Sequence, residues 1–230
     1  MNWRAVKKVV DTASPTAMTR MMANANFWDS DEDVYVKAAI LLREKERIDE
    51  ALMLIASVLK RKAQLMPLTV SGLQHFCAEC FSDKKHFKKA IRFYDVILAS
   101  REDASAYANR ALAYWELGEW ASALYDYKRA AALDPKDPRV MRSIGELLNK
   151  LERYAEAATF LHKAIDLDSG SSRTFCALGI AYFNMGSWLK AYQALKKAVD
   201  IEPGNKMAQL GIKKIEDHFE LSGNESNTTT

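Results

Sequence analysis

Residues 104–137 read ASAYANRALAYWELGEWASALYDYKRAAALDPKD, and the spacing of their small and aromatic residues decides the fold. Tyr107, Ala111 and Tyr114 recur at three- and four-residue steps, which places them on one face of a first helix. Gly118 falls in a turn, and Trp120, Ala123, Tyr127 and Ala130 repeat the pattern on a second helix. Pro135 follows Asp134 and stops that helix, because proline has no N–H to continue the ladder. Small residues let two antiparallel helices approach closely, and the rings fill the remaining space. One such hairpin cannot bury both of its faces and needs copies of itself alongside.

The copies follow at a step of 34 residues. The same roles fall on Met141, Gly145, Leu148, Tyr154, Ala157, Leu161 and Ala164, and then on Phe175, Gly179, Tyr182, Gly186, Trp188, Ala191, Leu195 and Ala198. In the middle copy Glu152 replaces the turn glycine and Ser169 the final proline. The order and the period resemble the tetratricopeptide repeat family. That resemblance implies an all-α, right-handed α-solenoid of helix–turn–helix repeats closed by a C-terminal capping helix.

Read outward from the regular repeats, residues 104–205, the chain divides further. Residues 32–103 hold two divergent repeats, with Tyr35, Ala38, Ala39 and Leu42 on a first helix and Ile48, Ala51, Ile55 and Val58 on a second. Gln74, Cys77, Ala78 and Phe81, then Phe87, Ala90, Tyr94 and Ile97, form the next pair. Ala51 and Ala90 are 39 residues apart and Ala90 and Ala123 are 33 apart, so the first junction is expected to differ from the rest. Residues 206–221, with Ala208, Ile212, Ile215 and Phe219 apolar, suit a capping helix, and the polar tail 222–230 suits disorder. Lys60-Arg61-Lys62 suits the C-terminal end of a helix, where positive charge is favoured.

Residues 1–31 lie outside the repeat pattern. Trp3, Val6, Val9 and Val10 with Arg4, Lys7 and Lys8 form a short basic amphipathic helix. It reads as a helix that packs on the first repeat, as a membrane-surface segment, or as mitochondrial targeting sequence in an otherwise cytoplasmic protein. Met18, Met21, Met22, Phe27 and Trp28 offer a contact for homo-oligomers through the N-terminal repeats.

Composition excludes several classes of function. The chain of 230 residues is 49% hydrophobic and 27% charged, within the range of globular proteins. Its net charge of +3 does not make nucleic acid a partner. Three cysteines argue against a disulfide framework and fit a reducing compartment. No apolar run reaches the ~18 residues of a membrane span.

No phosphate loop, HExxH or GxSxG occurs, so the chain reads as non-enzymatic, with no cofactor. His75, Cys77, Cys80 and His86 have zinc-like spacing, but both cysteines fall at inward repeat positions, so no metal is expected.

The resemblance gives a place to look. In that family the first helices of successive repeats line a concave groove for extended peptides or partner helices. Carried over residue by residue, it points Asn109, Leu112 and Trp115 into the groove from the third repeat. Arg139, Arg142, Glu146 and Asn149 follow from the fourth, and Arg173, Cys176, Ile180, Phe183 and Asn184 from the fifth. Aromatic anchors beside arginines are residue types that dominate binding energy, so a protein segment with acidic groups and an apolar anchor is the expected partner. Asn109 also matches the asparagine of the two-carboxylate clamp found in chaperone-binding members, with Arg139 as one basic partner. His75, Glu79 and Ser143 depart from that clamp, and Glu79 would repel its ligand. The reading is therefore a scaffold, adaptor or chaperone, with a membrane-associated assembly factor and a secretion-type or chaperone-binding co-chaperone as alternatives.

Overall fold

A computed structural model of the protein describes residues 3–12, 14, 32–59 and 67–225. Met18, Met21, Met22, Phe27, Trp28, the basic run 60–62 and the tail 226–230 lie outside the described residues. Among the described residues there are twelve helices and no strand. They are α1 (Trp3–Thr12), α2 (Glu32–Glu44), α3 (Ile48–Leu59), α4 (Pro67–Asp83), α5 (Phe87–Ser100) and α6 (Ala104–Glu116). After these come α7 (Trp120–Leu133), α8 (Pro138–Lys150), α9 (Tyr154–Leu167), α10 (Ser172–Asn184), α11 (Trp188–Ile201) and α12 (Lys206–Glu225). None is long and apolar enough to cross a membrane, among the described residues.

The turns explain why hairpins form. Glu46, Lys85, Gly118, Glu152 and Gly186 all take a left-handed backbone, with φ of 59°, 58°, 77°, 59° and 71°. This single residue reverses the chain, and the surrounding bonds close it. Arg153 N donates to Leu148 O at 2.8 Å and Ser187 N to Tyr182 O at 2.9 Å. Bonds of this six-residue span terminate a helix by satisfying a carbonyl that would otherwise be orphaned. Glu152 therefore keeps the geometry of the glycine it replaces, at a steric cost of about 1–2 kcal/mol. Glu152→Gly is expected to raise stability by about 1 kcal/mol, read as a higher urea midpoint with an unchanged slope. A lowered midpoint would mean that the Glu152 side chain contributes more than its backbone costs.

The chain divides into two units, residues 1–117 and 118–230. The boundary passes through the hairpin of residues 104–137, so α6 belongs to the first unit and α7 to the second.

In the first unit α1 packs on α2, α2 pairs with α3, α4 with α5, and α6 packs against α5. Val10 is fully buried, and Arg47 Nη1 donates to its carbonyl at 2.6 Å. Lys45 lies 2.9 Å from Asp11. One apolar residue of the basic N-terminal helix is thus covered by the protein itself. One core cluster, between α4, α5 and α6, is Ala78, Ala90, Tyr94, Ile97 and Ala106, with Phe81 and Phe93 stacked 5.5 Å apart beside it.

In the second unit α7 packs on α8, α8 pairs with α9, α10 with α11, and α12 closes on α11 and α10. The first helices α8, α10 and α12 also touch in succession. Glycine sets how closely α8 packs on α9 and α10 on α11: a Cβ on Gly179 would lie 2.5 Å from Leu195 Cγ, and one on Gly145 would overlap Leu161. Asp137, Ser171 and Asn205 cap α8, α10 and α12 by accepting from backbone N–H groups. Asn205 also donates to Ser172 Oγ at 2.8 Å, and Ser172 Oγ donates to Ala198 O at 2.9 Å. This buried chain of bonds fixes the start of α12 against α10 and α11.

Candidate functional site

The candidate residues fall into two sets, one in each unit. In the first unit Asp103 starts α6 by accepting from Ala106 N at 2.9 Å. Against the effect of burial, that bond and the nearby His75 and Arg101 hold its carboxyl below the usual carboxylate range. Asn109 lies within hydrogen-bonding reach of the buried Tyr94 hydroxyl, as does Ser82. Its amide thus contributes to the packing of α5 against α6. Leu112 is 49% exposed and Trp115 half-buried on the same helix. At the positions relevant to a carboxylate clamp, Glu79 pairs with Arg43, and His75 Nε2 lies 3.4 Å from Asp103. Arg43 also reaches Asp83 at 2.7 Å, so the acidic charge of Glu79 is compensated from α2.

In the second unit the arginines already have carboxylates. Arg139 turns back onto its own helix cap, with Nη2 3.0 Å and Nε 3.2 Å from Asp137. Arg173 reaches from α10 to α8 and grips Glu146 in a fork, at 2.6 and 2.7 Å. Arg142 Nε lies 3.6 Å from the same carboxylate. Two guanidinium groups therefore share one acid, an arrangement that anchors α8 to α10. Tyr127 packs below this cluster, and burial pushes its hydroxyl up to about 12. Asn149 donates to Ala177 O at 2.8 Å and so also joins α8 to α10. Cys176, which the resemblance points into the groove, is instead buried with Ala191, Leu195 and Ala198.

The remaining residues of α10 do come together. Ile180, Phe183 and Asn184 line a pocket of about 250 Å3 with Leu195 of α11 and Met207, Leu210, Gly211 and Lys214 of α12. Asn184 Nδ2 donates within its own helix to Ile180 O at 2.9 Å. Phe183 meets the Trp188 ring edge-on at 4.9 Å, and Trp188 stacks on His218 at 4.6 Å. The wall supplied by α12 does not follow from the capping role of that helix alone. The signal was present: Met207, Leu210 and Lys214 recur at three- and four-residue steps, on a face distinct from buried Ala208 and Ile215.

Cys77 and Cys80 are buried in the first unit, and burial pushes their thiols up to about 12 and about 11. Such thiols are inert rather than nucleophilic at neutral pH.

Hairpins of this kind, stacked in register with small residues at the contacts, define a helical-repeat protein. The chain belongs to the tetratricopeptide repeat family: family profiles of that description match residues 81–138, 108–172 and 172–205. It is 31% identical over 85 residues to small glutamine-rich tetratricopeptide repeat-containing protein 2 of Mycosarcoma maydis, which covers 36% of this chain and 24% of that protein. The chain thus spans about a quarter of the length of the curated relative it matches.

Among solved structures it is similar to YrrB, described as a tetratricopeptide repeat protein with an unusual peptide-binding site. The TM-score is 0.67 at 21% identity, covering 86% of this chain and 98% of that one. A tetratricopeptide repeat protein from Parabacteroides merdae gives a TM-score of 0.70 at 19% identity, over 84% of this chain and 75% of the other. The first such domain of RPAP3, solved with an HSP90 peptide, gives 0.50 at 20% identity, over 51% of this chain and 93% of the other. At these identities the likeness is one of fold.

Proposed function

We propose that this chain is a non-enzymatic protein-interaction scaffold, an adaptor or chaperone, that holds an extended peptide or a helix of a partner on the first-helix face of its regular repeats. The observation that carries this reading is the pocket between α10 and α12, whose apolar walls stay open to solvent. Met207 is 60% exposed and Leu210 49% exposed on that face. Exposed apolar surface gathered around a concavity suits partner binding better than scattered single side chains do. The peptide-binding members of the same fold support the reading, and each binds its own ligand.

The burial of Val10 and the bond from Arg47 to its carbonyl support α1 as a helix packed on the first repeat. Arg139 and Arg173 serve Asp137 and Glu146, so the proposed surface relies on its apolar residues.

The test is affinity capture with quantitative mass spectrometry, comparing the full chain with Met207→Asp/Leu210→Asp. Both residues are exposed, so the double variant is expected to keep its helix content by circular dichroism and to lie within about 1 kcal/mol of the parent. The account predicts that a defined set of proteins drops out of the capture. An identical set captured by a folded double variant would move the binding surface elsewhere.

A further inference from the structure

The geometry points to a ligand pattern for this pocket: an apolar side chain and a carboxylate two residues apart in an extended segment of a partner. The inference rests on the interaction reading above and narrows it to one chemistry.

Ile180 and Phe183 of α10 and Met207 and Leu210 of α12 form apolar walls around about 250 Å3. That volume is below the ~300–1,000 Å3 of small-molecule sites and suits a single side chain. The walls come this close because α12 lies against Leu195 through Gly211, where a Cβ would be 2.8 Å from Leu195 Cδ1. Lys214 lines the same pocket. Unlike Arg139 and Arg173, it has no ion-pair partner among the described residues. Its ammonium is therefore the group on this rim that can take a ligand's carboxylate without first giving one up.

The spacing follows from two repeat lengths. Leu210 and Lys214 are one helical turn apart, about 6 Å along the axis at ~1.5 Å per residue. An extended chain advances ~3.3 Å per residue and returns a side chain to the same face every second residue, after about 6.6 Å. A peptide running along α12 can thus seat an apolar residue between Phe183 and Leu210 and bring an acidic side chain two positions away to Lys214. The chain's net charge of +3 favours such a partner at long range.

The test uses the full chain and fluorescein-labelled octapeptides blocked at both ends, with a Leu-Gly-Asp core in Gly/Ser flanks, read by anisotropy at low salt. Companion peptides carry Leu-Gly-Asn, Leu-Gly-Lys and Ala-Gly-Asp cores, and one ends in leucine with a free carboxylate. Leu-Gly-Asp is expected to bind best. Removing its charge should weaken binding about fivefold, the upper end for an exposed ion pair. Lys214→Glu should weaken the Leu-Gly-Asp peptide tenfold or more and transfer the preference to Leu-Gly-Lys.

Equal binding of the Asp and Asn cores, both lost in Met207→Asp/Leu210→Asp, would overturn the carboxylate pattern and leave the scaffold reading intact. Tightest binding by the free-carboxylate peptide would overturn the two-residue spacing in favour of a chain terminus. Retention of the wild-type preference by Lys214→Glu would overturn the role of Lys214. Absence of binding by every peptide would overturn the pattern, and the capture experiment would then decide the scaffold reading separately.

Discussion

Gly179→Val is expected to destabilise the second unit by about 3 kcal/mol, at the upper end of what overpacking costs. Even a single Cβ at this position would lie 2.5 and 2.7 Å from Leu195 Cγ and Cδ2 and 3.3 Å from the Ala191 carbonyl oxygen. Leu195 is 1% exposed and Ala191 is fully buried, so neither neighbour can withdraw into solvent. The small gain in helix propensity on leaving glycine, a few tenths of a kcal/mol for valine, does not offset this. Urea unfolding followed by circular dichroism checks the size of the loss. Leu195→Ala supplies the specific control: combined with Gly179→Val it should cost clearly less than the sum of the two single losses, because the overlapping Leu195 atoms are gone. Simple additivity of the two variants would show that Gly179 and Leu195 do not oppose each other.

Leu161→Ala should cost as much or more, about 3–4 kcal/mol within the range for buried leucines. Leu161 is fully buried, and the residue it covers is Gly145. A truncated side chain leaves a cavity that the surroundings partly refill, but glycine has no side chain to move into it. The loss should therefore fall in the upper part of the range. At ~2–4 °C per kcal/mol for a chain of this size, the midpoint should fall by about 10 °C. Adding Gly145→Ala to Leu161→Ala should recover about 1 kcal/mol, since the new methyl occupies the vacated space and favours helix. A further loss in the double variant would contradict the packing described for α8 and α9.

These two contacts were legible in the sequence because they recur. Gly145 and Gly179 occupy the same place in consecutive copies, as do Leu161 and Leu195. Ala51, Ala90, Ala123, Ala157 and Ala191 are each fully buried, including the two in divergent repeats. A repeat must solve the same packing problem at every step, so period and residue size together announce the solution. The left-handed turn was legible at Gly118 and Gly186 and hidden at Glu46, Lys85 and Glu152, where only the position gives it away.

The binding face was harder to read, for a physical reason. Arg173 was legible as a cation on a first helix, but its partner Glu146 lies 27 residues earlier on another helix. Whether a charge is available to a ligand depends on such pairings, which spacing does not encode. Lys214 was missed for the complementary reason: it belongs to the closing helix, where no further copy exists to mark its position as part of a surface. Cys176 is a groove residue by the resemblance, yet packing against Ala191 and Leu195 removes it from solvent.

The central claim is that the open face of α10 and α12 receives a partner, and site-specific photocrosslinking tests it most directly. A benzophenone side chain at position 207, where Met207 is 60% exposed, is compared with one at position 125 on α7, where Tyr125 is 64% exposed. The account predicts partner adducts at position 207 that are suppressed by excess acidic competitor peptide, and none at position 125. Adducts at position 125 with none at position 207 would contradict it.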